Sequence, residues 1–363
     1  MKKDIIIFGK GDYYATKKKQ IEELYNVKFF LDNSLKYDEV IFDSKEKVNV
    51  YNPQKIKELS GGNMPILLMS VRWLEMWKQL MELGVEDERI IFGISIPPYL
   101  DVVEEMFFSL GASLCSRNGK IVVQYETTEK SFASEEEYKE AVRKMFYDRN
   151  PYIKLISDMP LVPTSKRFGQ ERGKAIDRFY IEKFLGENEK YICGTVMEIA
   201  ERRYTKMFGK NAEQSLMLHI NGWGEGVIKG NLATGEGIVE NSVDCMICTQ
   251  TIQFIYDIHS CVKNIYKLLK PGGTALITCG CIAQLSLYDY RNWGEYWRFT
   301  EQSLRKLLQE SFKEENINIY SYGNMKAAIA FLYGLCVEEL SEEDLDYKDI
   351  QYPLIIAAVV RKE

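Results

Sequence analysis

The stretch from Val243 to Cys279 limits the fold more than any other part of this chain. Ser242-Val-Asp-Cys-Met-Ile-Cys-Thr249 reads as an apolar strand ending in polar residues, and Ile258 to Leu269 as an amphipathic helix. Lys270-Pro271-Gly272-Gly273 halts that helix, and Thr274 to Cys279 is a second apolar strand. A helix joining two buried strands is a crossover, and crossovers build parallel sheets. The same alternation continues on both sides. Ala175 to Leu185 is helical, Gly194 to Ala200 and Ser215 to Ile220 are strands, and Thr300 to Gln309 is a helix. Ile317 to Tyr322 is a strand, Lys326 to Leu340 a helix, and Pro353 to Arg361 a last strand. The fold class is α/β.

A second, shorter alternation precedes it. Asp4 to Phe8 is a buried strand, Gly9-Lys10-Gly11-Asp12 a glycine turn, Tyr14 to Tyr25 a helix, and Val27 to Asp32 a strand ending in an acid. Strand-like runs at 39–42, 65–69 and 89–92, helices at 71–83 and 102–110, and a strand at 120–125 complete a small Rossmann-like domain. Gly9, Gly11 and Asp32 make a candidate nucleotide or sugar-nucleotide site, with helix amides toward phosphate and the acid toward ribose. A purely structural glycine turn explains them equally well. The expected organisation is a nucleotide-binding-like domain at 1–125, a helical connector at 126–163 punctuated by Asn150-Pro151, Met159-Pro160 and Val162-Pro163, and a larger domain at 164–363.

Composition excludes some partners. The 47 basic residues against 53 acidic ones leave a net charge of −6, which offers polyanionic nucleic acid no global attraction. Lys17, Lys18 and Lys19 are expected on the solvated face of their helix. No run approaches the roughly 20 apolar residues of a membrane span, and no signal-peptide pattern opens the chain, so a cytoplasmic protein is expected. The eight cysteines lie mostly in apolar segments and should be reduced thiols. Cys245 and Cys248 sit in one strand, where they face opposite sides, so no shared metal is expected.

The block from Val243 to Ile277, with its acid-led strand, helix, Pro-Gly-Gly turn and strand, resembles S-adenosylmethionine-dependent methyltransferases of the class I, Rossmann-like type. Arg167-Phe-Gly169, Arg172-Gly173, Ile176 to Glu182, Tyr204 to Gly209 and Trp293-Gly-Glu-Tyr-Trp-Arg-Phe-Thr300 are similar to segments of bacterial methyltransferase-like proteins that occur with glycan-biosynthesis enzymes. The resemblance implies a seven-stranded sheet in the larger domain, S-adenosylmethionine as cofactor, and methyl transfer to an oxygen or nitrogen of a carbohydrate-related small molecule. It leaves a homo-oligomer open.

Carried onto this sequence, the resemblance implies that Glu198 is the acid of the first strand. Ala200 stands where the first glycine of the cofactor turn is expected, and no G-x-G follows. Alanine is tolerated there at negative φ and strained at positive φ. Gly230-Asn231-Leu232 replaces a Gly-Asp-Leu that contacts adenine, and the end of the second strand, near Leu218-His-Ile-Asn221, offers no acid for ribose. Thr249, Tyr180 and Tyr204 complete the expected cofactor pocket, the tyrosines as aromatic faces for a sulfonium cation. Trp293, Glu295, Trp297 and Arg298 are the expected acceptor residues, on a segment suited to form part of a lid. A catalytic base could come from His219, His259, Asp177 or Glu295, with Tyr256 and Asp257 as further acids or bases, and the sequence does not choose. Two other readings stay open: a methyltransferase-like binding module that has lost catalysis, and recognition of a nucleotide-activated sugar by the first domain.

Overall fold

A computed structural model describes residues 2–59, 63–100, 102–109, 111–125, 128–132, 134–149 and 151–363. The expected helix end at Leu110, the start of the connector at Glu126 and the turn residue Asn150 lie outside these. The chain divides into two compact units, Met1–Met159 and Pro160–Glu363.

The first unit holds a six-stranded sheet in the order Val40–Asp43, Val48–Tyr51, Tyr25–Leu31, Lys3–Phe8, Ile66–Leu68, Ile90–Phe92. Its pairings are parallel except at the edge, where Val40–Asp43 and Val48–Tyr51 form an antiparallel hairpin. The second strand of that hairpin was not visible in the sequence pattern. Ser113–Arg117, Lys120–Tyr125 and Thr128–Phe132 form a separate antiparallel sheet. The segment expected as a connector therefore supplies a strand, and its helix Glu135–Arg149 sends Tyr138 into the core of this unit against Trp73 and Phe132.

The lysine run departs from expectation. Lys18 and Lys19 lie at the surface side of helix Asp12–Leu24, but Lys17 is fully buried. Its ammonium donates to Glu104 at 2.8 Å, to the Gly93 carbonyl at 3.0 Å and to Tyr13 Oη at 3.1 Å. An ammonium leaves water only when paired in this way.

In the second unit the strands are β1 (Cys193–Ile199), β2 (Asn211–His219), β3 (Val227–Lys229), β4 (Val243–Thr249), β5 (Leu269–Gly280), β6 (Ile317–Tyr322) and β7 (Ile355–Arg361). They form one seven-stranded sheet in the order β3-β2-β1-β4-β5-β7-β6, parallel except for β7, which runs antiparallel to both neighbours. The helices that the argument needs are α1 (Ile176–Glu187), α2 (Arg203–Phe208), α3 (Ile258–Leu268), α4 (Leu287–Asn292), α5 (Glu301–Leu308) and α6 (Met325–Tyr333).

Alternation along the strands divides the core in two. Met246, Cys248 and Ile277 face α3 and α5, whereas Cys245, Ile247 and Leu276 face α1 and α6. Cys245 and Cys248 thus lie on opposite faces, and all eight cysteines are free thiols. The period of α3 puts Ile258, Cys261, Val262, Ile265 and Leu268 on its buried face. Each such fully buried aliphatic side chain stabilises the fold by roughly 1.5–3 kcal/mol relative to exposure. Asp257 caps α3 by accepting from Ser260 N at 3.0 Å. The acid that leads β4, Asp244, ties three strands: it accepts from Thr195 N at 2.9 Å and pairs with Lys270 at 2.7 Å, and Lys270 holds its carboxyl below the usual range.

Candidate functional site

At the carboxyl ends of the strands the second unit opens into a cavity of about 500 Å³. Open α/β sheets leave their crevice there because the crossover loops diverge to opposite faces. The cavity is walled by the turn after β1, the ends of β2 and β4, the start of α1, and the segment between β5 and α5.

The turn after β1 is the most constrained part. Ala200 lines the cavity at φ +62°, in the left-handed region, and its N–H donates to the Leu218 carbonyl at 3.0 Å. This is the conformation a glycine adopts freely and an alanine adopts at a cost of roughly 1–2 kcal/mol. Glu198 lies beneath the turn and not in the cavity wall. Only 1% exposed, it accepts from Tyr204 N at 3.0 Å, Thr205 N at 2.9 Å and Thr205 Oγ1 at 2.9 Å. Those N–H groups begin α2 and have no partner within it. Burial raises the Glu198 carboxyl above the usual range, against the pull of these hydrogen bonds.

Other expected residues separate into two groups. Asn231, Thr249, His219, Asp177, Trp293, Glu295 and Arg298 line the cavity. Asn231 Oδ1 accepts from Ala233 N at 2.8 Å, which folds the loop after Gly230 onto itself. His219 Nδ1 accepts from Asn221 N at 3.0 Å, so its neutral ring carries the proton on Nε2. Burial raises the Asp177 carboxyl, opposed by the adjacent Arg178 guanidinium. Glu295 accepts from Ser286 N at 2.9 Å and pairs with Arg298 at 2.5 Å, which fixes both side chains at the cavity wall.

Tyr180, Tyr204, Trp297 and His259 do not line the cavity. Tyr180 and Tyr204 are fully buried between α1 and the sheet, where Tyr204 Oη accepts from Arg178 and burial pushes the Tyr180 hydroxyl up to about 12. Trp297 donates from Nε1 to the Ile255 carbonyl at 3.1 Å and stacks on Tyr256. Tyr296 N, Trp297 N and Phe299 N are bound to the Gln253 and Gly280 carbonyls, so the segment expected as a lid is strapped to the ends of β4 and β5. His259 sits at the surface beside Glu310, 2.7 Å away, which raises its pKa.

Arg178, Glu201, Gln250 and Gln253 are among the polar lining residues that sequence reasoning did not assign to the site. Arg178 adjoins Asp177 at the start of α1, and the two glutamines follow the polar end of β4. Their positions after a strand or at a helix start were the available signal.

In the first unit, a cavity of about 370 Å³ is lined by Tyr13, Trp73, Glu104, Tyr138 and Arg143 among others, and not by Gly9, Gly11 or Asp32. Gly9, at φ +97°, is required for packing: a Cβ there would meet the Met69 carbonyl at 2.6 Å. Asp32 accepts from Ser34 N at 2.8 Å. Among the described residues no cluster of three or more His, Cys, Asp or Glu could hold a metal, and no helix is long and apolar enough to cross a membrane.

Residues 202–277 match a protein-family model described as a methyltransferase domain. The matched residues lie within the seven-stranded sheet of the second unit and its crossover helices. Among solved structures, the chain is similar to a SAM-dependent methyltransferase from Archaeoglobus fulgidus, at 14% identity over 51% of this chain and 94% of that one, with a TM-score of 0.34. It is also similar to the N-methyltransferase NodS from Bradyrhizobium japonicum WM9 in complex with S-adenosylhomocysteine, at 11% identity over 55% and 93%, with a TM-score of 0.36. A third is 1,6-didemethyltoxoflavin-N1-methyltransferase from Burkholderia thailandensis, at 13% identity over 68% and 96%, with a TM-score of 0.34. No curated protein matches the chain significantly.

Proposed function

We propose that the second unit transfers a methyl group from S-adenosylmethionine to an oxygen or nitrogen of a carbohydrate-related small molecule. The observation that carries this reading is the cavity at the carboxyl ends of β1, β2 and β4, built around a turn held at a positive φ. Its size, about 500 Å³, lies within the usual range for small-molecule and cofactor sites.

The residues present fit the cofactor chemically. Asp177 and Glu201 bring negative charge for an ammonium or sulfonium group, Arg178 offers a guanidinium for a carboxylate, and Leu232, Ile220 and Phe254 give apolar surface for a base. The ring of His219 and the amide of Asn231 would offer polar neighbours to ribose and adenine. When bound, S-adenosylmethionine supplies the electrophilic methyl group. The chain's part is alignment of the acceptor with that carbon, and Asp177 is a cavity carboxylate able to take a proton from it.

The test is calorimetry of the full chain with S-adenosylhomocysteine. Saturable heat at micromolar ligand is expected, and no heat and no thermal shift at millimolar ligand sinks the proposal. A second reading, a binding module that has lost catalysis, is favoured by the strained alanine. The two part at Ala200→Gly. The substitution removes a Cβ from the cavity wall and a left-handed strain, while glycine gives the unfolded chain more conformational freedom, which makes folding cost roughly 0.5–1 kcal/mol more. Stability should stay within about 1 kcal/mol of the parent, and S-adenosylhomocysteine should bind about fivefold more tightly, equivalent to roughly 1 kcal/mol. Unchanged or weaker affinity would show that the alanine methyl is no obstacle to the ligand.

A further inference from the structure

Two glutamines on the cavity wall satisfy each other only by half. Gln250 and Gln253 both line the cavity, and Gln253 Nε2 donates to Gln250 Oε1 at 2.6 Å. Gln250 Nε2 and Gln253 Oε1 are then left buried without a partner. Gln253 is only 3% exposed. The main chain holds both in place: Gln250, at φ +46°, donates from N to the Thr278 carbonyl at 2.8 Å, and the Gln253 carbonyl accepts from Tyr296 N at 2.9 Å. Buried amides are normally paired, and an orphaned pair at a cavity wall is a fold-stability cost with no structural return.

The chemistry of the pair does not depend on which way the amides are turned. One amide N–H must meet one amide oxygen, so either assignment leaves one donor end and one acceptor end free. The terminal torsion of glutamine is broad, which lets both free ends swing toward a ligand at little cost.

We propose that the Gln250–Gln253 pair is the specificity element for the methyl acceptor, and that it receives a neutral hydroxyl group of that molecule. The proposal rests on reading the cavity as the methyl-transfer site. A hydroxyl is the smallest group that does both jobs at once, its oxygen accepting from one glutamine and its O–H donating to the other. A carboxylate can only accept and would face the amide oxygen, and an ammonium can only donate and would face the amide N–H. Each leaves a buried polar atom unpaired, which is the strongest way for a site to reject a ligand. Because an amide does not take up a proton at neutral pH, the pair positions the acceptor and does not deprotonate it.

Saturation-transfer NMR on the full chain, with and without S-adenosylhomocysteine, tests this with three probes that share one ring: cyclohexanol, cyclohexanecarboxylate and cyclohexylammonium. The alcohol should give at least a threefold stronger transfer than either ion. The double variant Gln250→Leu with Gln253→Leu should remove that preference, keep S-adenosylhomocysteine affinity within about threefold, and melt no lower than the parent, since it removes both unpaired polar atoms together with the amide pair, whereas either single change orphans the remaining amide. Equal transfer from the ions, a preference that survives the double substitution, or a marked loss of melting temperature in the double variant would overturn the assignment. Absence of S-adenosylhomocysteine heat counts against the methyl-transfer reading instead, because the probe preference is read without that ligand as well.

Discussion

Glu198→Ala is expected to destabilise the second unit by about 3 kcal/mol, because it strands two backbone N–H groups and a hydroxyl in a buried place. The Glu198 carboxylate accepts from Tyr204 N, Thr205 N and Thr205 Oγ1, and it joins the end of β1 to the start of α2. The corresponding fall in melting temperature is about 6–12 °C for a unit of this size. Glu198→Gln keeps the shape and one acceptor, and should cost about half as much. Its pH behaviour separates shape from charge. The native carboxyl is raised above the usual 4.5 by burial, so the native state holds more protons than the unfolded chain between 4.5 and that raised value. The contribution of this group to stability therefore declines as pH climbs through that window, and the glutamine variant lacks the decline. Urea unfolding at several pH values measures both effects. A loss below about 1 kcal/mol for the alanine variant would show that the turn over the cavity does not depend on this carboxylate.

The second large effect belongs to the first unit. Lys17→Met should cost about 3–5 kcal/mol, because it leaves the Glu104 carboxylate, 2% exposed, without the cation 2.8 Å away. Lys17→Met combined with Glu104→Leu should recover much of that loss, since an apolar pair of similar volume needs no compensation. Trp73 and Trp77 are buried in this unit and report its unfolding by fluorescence. If the double variant is no better than the single one, the pair is not an isolated unit of charge compensation and the tyrosine Tyr13 and the Gly93 carbonyl hold more of the energy than assigned to them.

Much of the architecture was legible in the sequence because burial on both faces of a parallel sheet writes long apolar runs. The strands at Cys193–Ile199, Val243–Thr249 and Ile355–Arg361 were found within two residues of their ends, as was the capped helix Ile258–Leu268. The short strands Val48–Tyr51 and Val227–Lys229 were not, because three or four residues at a sheet edge carry no period of their own. Likewise, the resemblance to methyltransferases implied a glycine in the turn at Ala200. Whether alanine was strained there depended on φ, which no residue pattern contains, and the structure holds it at +62°.

Side-chain direction drew the other boundary. Tyrosine, tryptophan and histidine have the same chemistry in a core and in a cavity, so sequence alone could not send Tyr180 and Tyr204 inward, tie Trp297 to the Ile255 carbonyl, or leave His259 at the surface. Lys17 is the sharpest case. A lysine on an amphipathic helix is ordinarily solvated, and its burial followed from Glu104, 87 residues away in the chain. The sequence by itself determined the order of strands and helices and the end of the sheet where a site could form, because those follow from local periodicity. The tertiary structure alone decided which polar groups found partners, because hydrogen bonds and ion pairs join residues that the chain keeps far apart. The half-paired Gln250 and Gln253 belong to that second class.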